Sequence, residues 1–297
     1  MKIKHWISAF RLRTLFLSLS CIGAGLFCAK LEGNLNIALA IFTITTALFL
    51  QILSNLANDY GDSIHGADHK ARKGPARAVQ AGHISPEQMK TGIIVFSSLA
   101  LLSGTVLLFL AIDTIGKMGS GILFIVGLLS IAAAIAYTNG KKPYGYIGLG
   151  DISVFVFFGL IAVLGTYYLQ VAELKSGCFF LAFTYGFLSV GVLNLNNMRD
   201  IDSDKAAGKL SIPVRLGLKQ AKMYHYLLLV IAGFCFTIFT FQAELNWLIL
   251  LPSLAILFFN GRAVYKTQKS GELDPLLKYL SFSTLLITLF LFLSSLI

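Results

Sequence analysis

Apolar residues run along this chain in nine blocks, at about 14–31, 36–56, 91–112, 118–137, 150–170, 177–195, 223–242, 245–262 and 276–297. Each approaches the roughly 20 residues that a helix needs to cross a bilayer. Polar residues gather in the segments between them. The pattern predicts an all-α integral membrane protein with nine transmembrane helices. The first block follows Lys2, Lys4, Arg11 and Arg13, as the core of a secretory signal would. No small-x-small cleavage site follows it and Cys21 lacks a lipobox, so it reads as a retained span. The stretch around Trp6, Ile7 and Phe10 reads either as an interfacial helix before that span or as an ordinary basic flank.

Composition excludes the alternatives to a membrane protein. Of 297 residues, 56% are hydrophobic and only 13% charged, with a mean hydropathy of +0.77. A soluble domain carries about 25% charged residues, and no soluble core of this size could hide so much Leu, Ile and Phe. Disordered, collagen-like and disulfide-scaffold chains are excluded on the same ground. Cys21, Cys28, Cys178 and Cys235 all lie in apolar runs without metal-ligand spacing and read as small packing residues.

The net charge of +10 reflects topology and not a nucleic-acid partner. Almost all of the 24 Lys and Arg residues fall in segments that alternate onto one side of the nine spans. Lys30, Lys117 and Lys175 alone fall on the other. The positive-inside rule then places the N-terminus in the cytoplasm.

The acids are more concentrated still. Six of the fourteen lie in two short segments at cytoplasmic span ends, Asn55-Leu-Ala-Asn-Asp-Tyr-Gly-Asp62 running on to Asp68, and Asn194-Leu-Asn-Asn-Met-Arg-Asp-Ile-Asp-Ser-Asp204. Residues three and four apart share a helix face. Asn55, Asn58, Asp59 and Asp62 therefore form one polar stripe, and Asn196, Asp200 and Asp204 a matching one. Carboxylates crowded beside lipid need cations to offset repulsion and desolvation. Mg²⁺ takes oxygen ligands and characteristically joins one or two carboxylates to a phosphate-bearing substrate. The bland alternative is a pair of capped helix ends in a solvated loop.

The two segments also read as a parallel pseudo-repeat, at 55–68 and 194–204, within a single domain covering 1–297. Basic residues follow the acids: Arg72, Lys73 and Arg77 after the first, Lys141 and Lys142 after the fourth span, and Arg199, Lys205, Lys209 and Arg215 around the second. Acids and bases mixed on one face suit a metal-bound diphosphate. Between the fourth and fifth spans, the Gly- and Tyr-rich run from Tyr137 to Asp151 predicts an irregular loop that must be covered or line a cavity. Asp151 reads as a helix cap or a site residue.

With NLANDYGDSIHGAD, GPARAVQAGHIS, PYGYIGLGDISVFVFFG and NLNNMRDIDSD in place, the chain resembles the UbiA superfamily of intramembrane aromatic prenyltransferases. It is most similar to the branch that acts on 1,4-dihydroxy-2-naphthoate. The resemblance implies a nine-helix bundle and Mg²⁺-dependent transfer from a polyprenyl diphosphate to the naphthoate in menaquinone biosynthesis. It implies a multi-pass protein of the bacterial inner membrane with a cytoplasmic active site. Carried over residue by residue, Asn55, Asp59, Asp62, Asp200 and Asp204 would hold metal, with the four aspartates essential to catalysis. Arg72, Arg77, Tyr137, Lys141 and Lys142 would contact diphosphate, and Asn58, Asp68, Asn196 and Asp151 would support. The chain departs from the family pattern in the six-residue gap from Asp62 to Asp68, a feature of the naphthoate branch, and in Leu12 and Phe16 where prolines are common.

Other acceptors, 4-hydroxybenzoate or homogentisate, remain open at this stage. A cation-coupled transporter is the reading from another class. It would place its ionisable groups at broken helices near the bilayer midplane, whereas these acids cluster at span ends.

Overall fold

The computed structural model describes residues 3–66, 74 and 77–295; Asp68 and Arg72 lie outside the described residues. The described chain is a bundle of helices joined by short turns. A short helix α1 (Ile3–Phe10) is separated from α2 (Leu12–Leu31) at Arg11, whose φ of 51° breaks the helical path. Next come α3 (Ile37–Ile64), α4 (Pro86–Ala136), α5 (Gly150–Val171) and α6 (Ser176–Arg199). Two short helices, α7 (Ile201–Ala206) and α8 (Ile212–Leu216), lead to α9 (Leu218–Gln242), α10 (Leu250–Lys266) and α11 (Leu273–Ser294).

Among the described residues, eight helices are long and apolar enough to cross a membrane, against the nine blocks of the sequence. The difference lies in α4. A straight helix of its 51 residues would extend about 76 Å, more than twice a bilayer's hydrocarbon thickness. Instead Gly116, at φ 70° and ψ 170°, interrupts it between the third and fourth apolar blocks. The chain folds back there: Ser120 Oγ reaches the Leu108 carbonyl at 3.4 Å across twelve residues of sequence. The first arm starts at a capping box, with Ser85 and Gln88 exchanging side-chain and backbone hydrogen bonds and Pro86 at the first turn.

Helix α3 outruns the apolar block that predicted it, continuing through the first Asn/Asp stripe to Ile64. Its polar residues are not a loop, because each finds a buried partner. The second stripe is interrupted. Helix α6 ends at Asp200 (φ −97°, ψ 16°) and α7 begins one residue later, although Asp204 N–H still bonds the Asp200 carbonyl at 2.8 Å. The middle of α5, Phe155–Leu164, is wound as a π-helix, which no periodicity in its uniformly apolar sequence signals.

The larger core cluster joins α2, α5, α6, α9 and α11 around Phe27, Tyr167, Tyr185, Leu188 and Phe236, while α1, α3 and α4 pack around Leu53, Leu56 and Met89. In that second cluster Trp6 and Phe10 lie against α3 and α4. Close approach of α5 to α6 depends on Gly159: a Cβ there would come within 2.8 Å of both the Ala182 carbonyl oxygen and the Gly186 Cα. Polar ties supplement packing at the charged end. The fully enclosed Arg199 grips Asp200 with Nε and Nη2, at 3.0 and 2.6 Å, and reaches Asp274 of α11 with Nη1 at 2.6 Å. Asp274 also takes Arg13 of α2 at 2.9 Å and Lys278 at 3.0 Å.

Two predictions follow from this packing. Gly159→Ala should destabilise by about 1–3 kcal/mol, read as a lower thermal midpoint in detergent. Gly121→Ala, where a Cβ meets nothing within 4 Å, should be neutral or slightly stabilising through helix propensity. Arg199→Met should cost about 3–5 kcal/mol by leaving Asp200 buried without its countercharge. Adding Asp200→Asn to Arg199→Met should recover part of that midpoint.

Candidate active site

A cavity of about 370 Å³ opens among α2, α3, α4, α5 and α6, with its charged residues at the Asp62 end. On α3 the cavity wall is Asn55, Asn58 and Asp62, spaced so that one face turns inward. Asp62 pairs with Arg77 Nη1, and the Tyr146 phenol donates to its Oδ1 at 2.7 Å. Arg77 also donates to the Asn58 carbonyl at 3.1 Å. Asp59 lies one step round the helix. Its Oδ2 accepts the Ala78 N–H at 3.1 Å, whereas its buried Oδ1 has no hydrogen-bond partner among the described residues. Asn55 donates to the Phe10 carbonyl and to Thr14 Oγ1, both at 2.8 Å, and so pins the α1–α2 joint onto α3.

From the second motif, Asn196 and Asn197 line the cavity. Asn196 Oδ1 accepts from Arg199 Nη2 at 2.9 Å, while the buried Asn197 Oδ1 has no partner among the described residues. Asp200 is held in the Arg199 fork. Asp204 faces Lys209 Nζ at 3.6 Å through Oδ1, and its Oδ2 is without a hydrogen bond among the described residues. Burial, with the nearby Asp200 and Asp62 carboxylates, pushes the Asp204 pKa up despite Lys209. Lys209 is itself buried, which works against its charge. Even so, Asp204 and Asp62 hold its pKa above the ordinary lysine value.

The loop after α4 is irregular, as its composition predicts, with a 3₁₀ turn over Tyr144–Ile147. It docks on α3: Thr138 Oγ1 and Asn139 Nδ2 each donate to the Ala57 carbonyl at 3.0 Å, and Thr138 also reaches Asn58 Oδ1 at 3.2 Å. Gly61 permits this approach, since a Cβ there would stand 2.5 Å from the Thr138 carbonyl oxygen. Tyr137 and Tyr144 line the cavity edge-to-face, with ring centroids 5.3 Å apart. Lys141 and Lys142 are exposed and do not line it. Asp151 also stands off the cavity, accepting the Tyr224 phenol at 2.8 Å.

The fold thus brings Asn55, Asn58, Asp62, Arg77, Tyr137 and Asn196 of the expected set to the cavity, while Asp59, Asp200 and Asp204 do not line it. Arg11, Arg13, Asn197 and Lys209, to which the sequence gave no site role, also line it, with Lys209 Nζ 5.6 Å from the Tyr146 ring centroid. Lys209 was visible only as one of several bases near the second motif, and Gly208, at φ 71°, turns the chain just before it.

Among the described residues, no three carboxylate, imidazole or thiol groups converge to cage a metal ion. The available donors are all oxygens, and two of the buried carboxylates each keep one oxygen without a hydrogen bond. That set fits Mg²⁺, which binds through one or two carboxylates and completes its shell with phosphate oxygens and water.

Comparison with known proteins agrees with this geometry. The chain is 41% identical to the 1,4-dihydroxy-2-naphthoate octaprenyltransferase of Haemophilus influenzae over 97% of this chain and 94% of that protein. It is 41% identical to the protein of the same name from Escherichia coli, over 93% of this chain and 90% of that one. A UbiA homolog from Archaeoglobus fulgidus, solved bound to GPP and Mg²⁺, superposes with a TM-score of 0.70 at 15% identity, covering 99% of this chain and all of that one. The apo structure of a UbiA homolog from Aeropyrum pernix superposes at 0.71 and 16% identity, over 96% and 98%. A sequence profile of the UbiA prenyltransferase family matches residues 18–294, and with an apolar bundle closing over paired acids and bases the chain belongs to that family.

Proposed function

We propose that this protein transfers a polyprenyl group from its diphosphate to 1,4-dihydroxy-2-naphthoate, with loss of CO₂ and diphosphate, giving the demethylmenaquinone skeleton. The observation that carries the reading is the pairing of Asp62 with Arg77 and of Asp204 with Lys209, which gathers acids and bases at one end of a largely apolar cavity lined by Asp62, Arg77 and Lys209. The names of the similar bacterial proteins supply the acceptor.

Asp59, Asp62, Asp200 and Asp204 would hold Mg²⁺ together with diphosphate oxygens, with Asn55, Asn58, Asp68, Asn196 and Asn197 supporting them. Bound there, the metal would neutralise charge on the diphosphate as the allylic C–O bond breaks. Arg77 and Lys209 take further charge on the leaving group. Lys141 and Lys142 add positive potential that draws the anion in, and Arg72 would contact the diphosphate. The bond's electron pair leaves with diphosphate, and the allylic cation stays among Phe157, Phe158 and the faces of Tyr137 and Tyr144, away from water. The ring carbon that bears the carboxylate attacks that cation, and as CO₂ departs the electron pair of the broken C–C bond restores the aromatic ring, leaving the product as the hydroquinone. Asp151, tied to Tyr224, takes no proton in this scheme.

In the bilayer the two arms of α4 count as separate crossings, making nine, with the N-terminus and the active site on the cytoplasmic side of a bacterial inner membrane. The chain acts as one domain, with its two Asn/Asp segments as repeated chemistry facing each other across the cavity.

Membranes containing the protein, given a long polyprenyl diphosphate and Mg²⁺, should prenylate dihydroxynaphthoate and not 4-hydroxybenzoate, and EDTA should abolish the reaction. Product from 4-hydroxybenzoate alone would move the acceptor assignment. No product from either, with no effect of EDTA, would defeat the enzyme reading. Asp62→Asn and Asp204→Asn should each lower kcat/KM about a hundred- to a thousandfold. Lys209→Met should cost about a hundredfold, whereas Lys141→Met should cost less than about tenfold and lose its effect in high salt. Equal, salt-independent losses for the two lysines would refute that division.

A further inference from the structure

Asp200 stands at the break between α6 and α7, at φ −97° and ψ 16°, so no continuous helix aligns its side chain. Arg199 does that instead, donating from Nε to Oδ1 at 3.0 Å and from Nη2 to Oδ2 at 2.6 Å. Nη2 also donates to Asn196 Oδ1 at 2.9 Å. Asn196 and Asp200 belong to the same helix end as Arg199 and move with it. Asp274 supplies a contact from outside that end. It lies in the first turn of α11, 75 residues along the chain, and its Oδ1 accepts from Arg199 Nη1 at 2.6 Å.

An acid in the first turn of a helix is favoured by the helix dipole alone. Asp274 is set apart by what converges on it: besides Arg199, it takes Arg13 of α2 at 2.9 Å and Lys278 of its own helix at 3.0 Å. The Arg199 side chain is fully enclosed, so its charge must be neutralised by the groups it touches. With Asp274 beside it, that demand is divided between two carboxylates. Without Asp274 the guanidinium would clamp on Asp200 alone. A further constraint comes from the segment after α3, where a Cβ on Gly74 would stand 2.7 Å from Arg199 Nη2 and 2.8 Å from Cζ. The chain at Gly74 therefore packs directly on the guanidinium and leaves it no room to shift that way.

We infer that Asp274 is a positioning residue for the second motif: through Arg199 it holds the Asp200 carboxylate ready for a divalent cation, and the bare backbone at Gly74 keeps the space that the guanidinium occupies. The inference rests on the reading of Asp200 as a metal ligand. Loss of Asp274 makes Arg199 a competitor of the metal for Asp200, because the buried guanidinium then has one carboxylate where it had two.

The test reads metal binding and not turnover. Full-length protein in lipid nanodiscs is titrated with Mn²⁺ in the presence of inorganic diphosphate, and bound Mn²⁺ is followed by electron paramagnetic resonance. Asp274→Asn should raise the Mn²⁺ dissociation constant about tenfold, as removal of a group that orients a ligand does. Asp274→Glu should recover most of that loss. Gly74→Ala should raise the constant too, by crowding Nη2 from a segment outside α11, so the test stands even where Asp274→Asn does not fold. Lys278→Met removes a cation that is 59% exposed from the same carboxylate and should leave the constant unchanged. In an Asp200→Asn background, Asp274→Asn should add no further loss, since a residue acting through Asp200 has nothing left to orient. A merely structural Asp274 would lower the thermal midpoint and leave the constant where it was. An unchanged constant in Asp274→Asn or in Gly74→Ala, or losses that add fully to that of Asp200→Asn, would overturn the inference and keep the metal site. Wild-type Mn²⁺ affinity in Asp200→Asn would remove Asp200 from the metal site and the inference with it.

Discussion

The arrangement of this protein depends on neutralising carboxylates that sit at one end of an apolar bundle. An isolated buried charge is costly to keep, and the buried carboxylates of Asp62, Asp200 and Asp204 each meet a basic side chain. Arg77 comes from the segment after α3, Lys209 from the turn after α7, and Arg199 joins Asp200 to Asp274 on the last helix. These pairs fix where α2, α3, α6 and α11 meet. Among the described residues, one oxygen each of Asp59 and Asp204 is without a hydrogen bond, and such oxygens are what a hard cation needs. One set of interactions therefore holds the helix ends together and prepares a site for metal and anion.

Below that charged layer the requirement reverses. An allylic cation must be kept from water, and an isoprenoid needs an apolar path. The cavity walls supply both, with Phe157, Phe158 and two tyrosines near the mouth and aliphatic residues farther in. Small residues set the spacing. Gly159 lets α5 press on α6 and Gly61 lets the Tyr137 loop press on α3. The π-wound middle of α5 contributes Phe157, Phe158 and Ile161 to the same wall.

Much of this was legible in the sequence. Hydropathy located the apolar helices, though α3 runs on to Ile64 past its block and the two blocks on either side of Gly116 fall in one helical element. The Asn/Asp stripes were legible because a helix face is a matter of spacing alone. The placement of individual cations was not. Lys141 and Lys142 follow a tyrosine in the expected pattern yet stand exposed, whereas Lys209, one base among several, is the one buried against Asp204. Nothing in the spacing of Tyr146 pointed to its phenol on Asp62, 84 residues away.

The sequence by itself determined that the chain lives in a membrane, that its oxygen-rich chemistry sits at two helix ends on one side, and that bases gather there. These are local properties, carried by hydropathy, periodicity and the sign of charge within a few turns. Only the tertiary structure decided which acid meets which base, where α4 turns back, and how α5 unwinds to a wider helix. Each of those depends on the distance between residues far apart in sequence, and in a bundle that distance is set by packing all the helices at once.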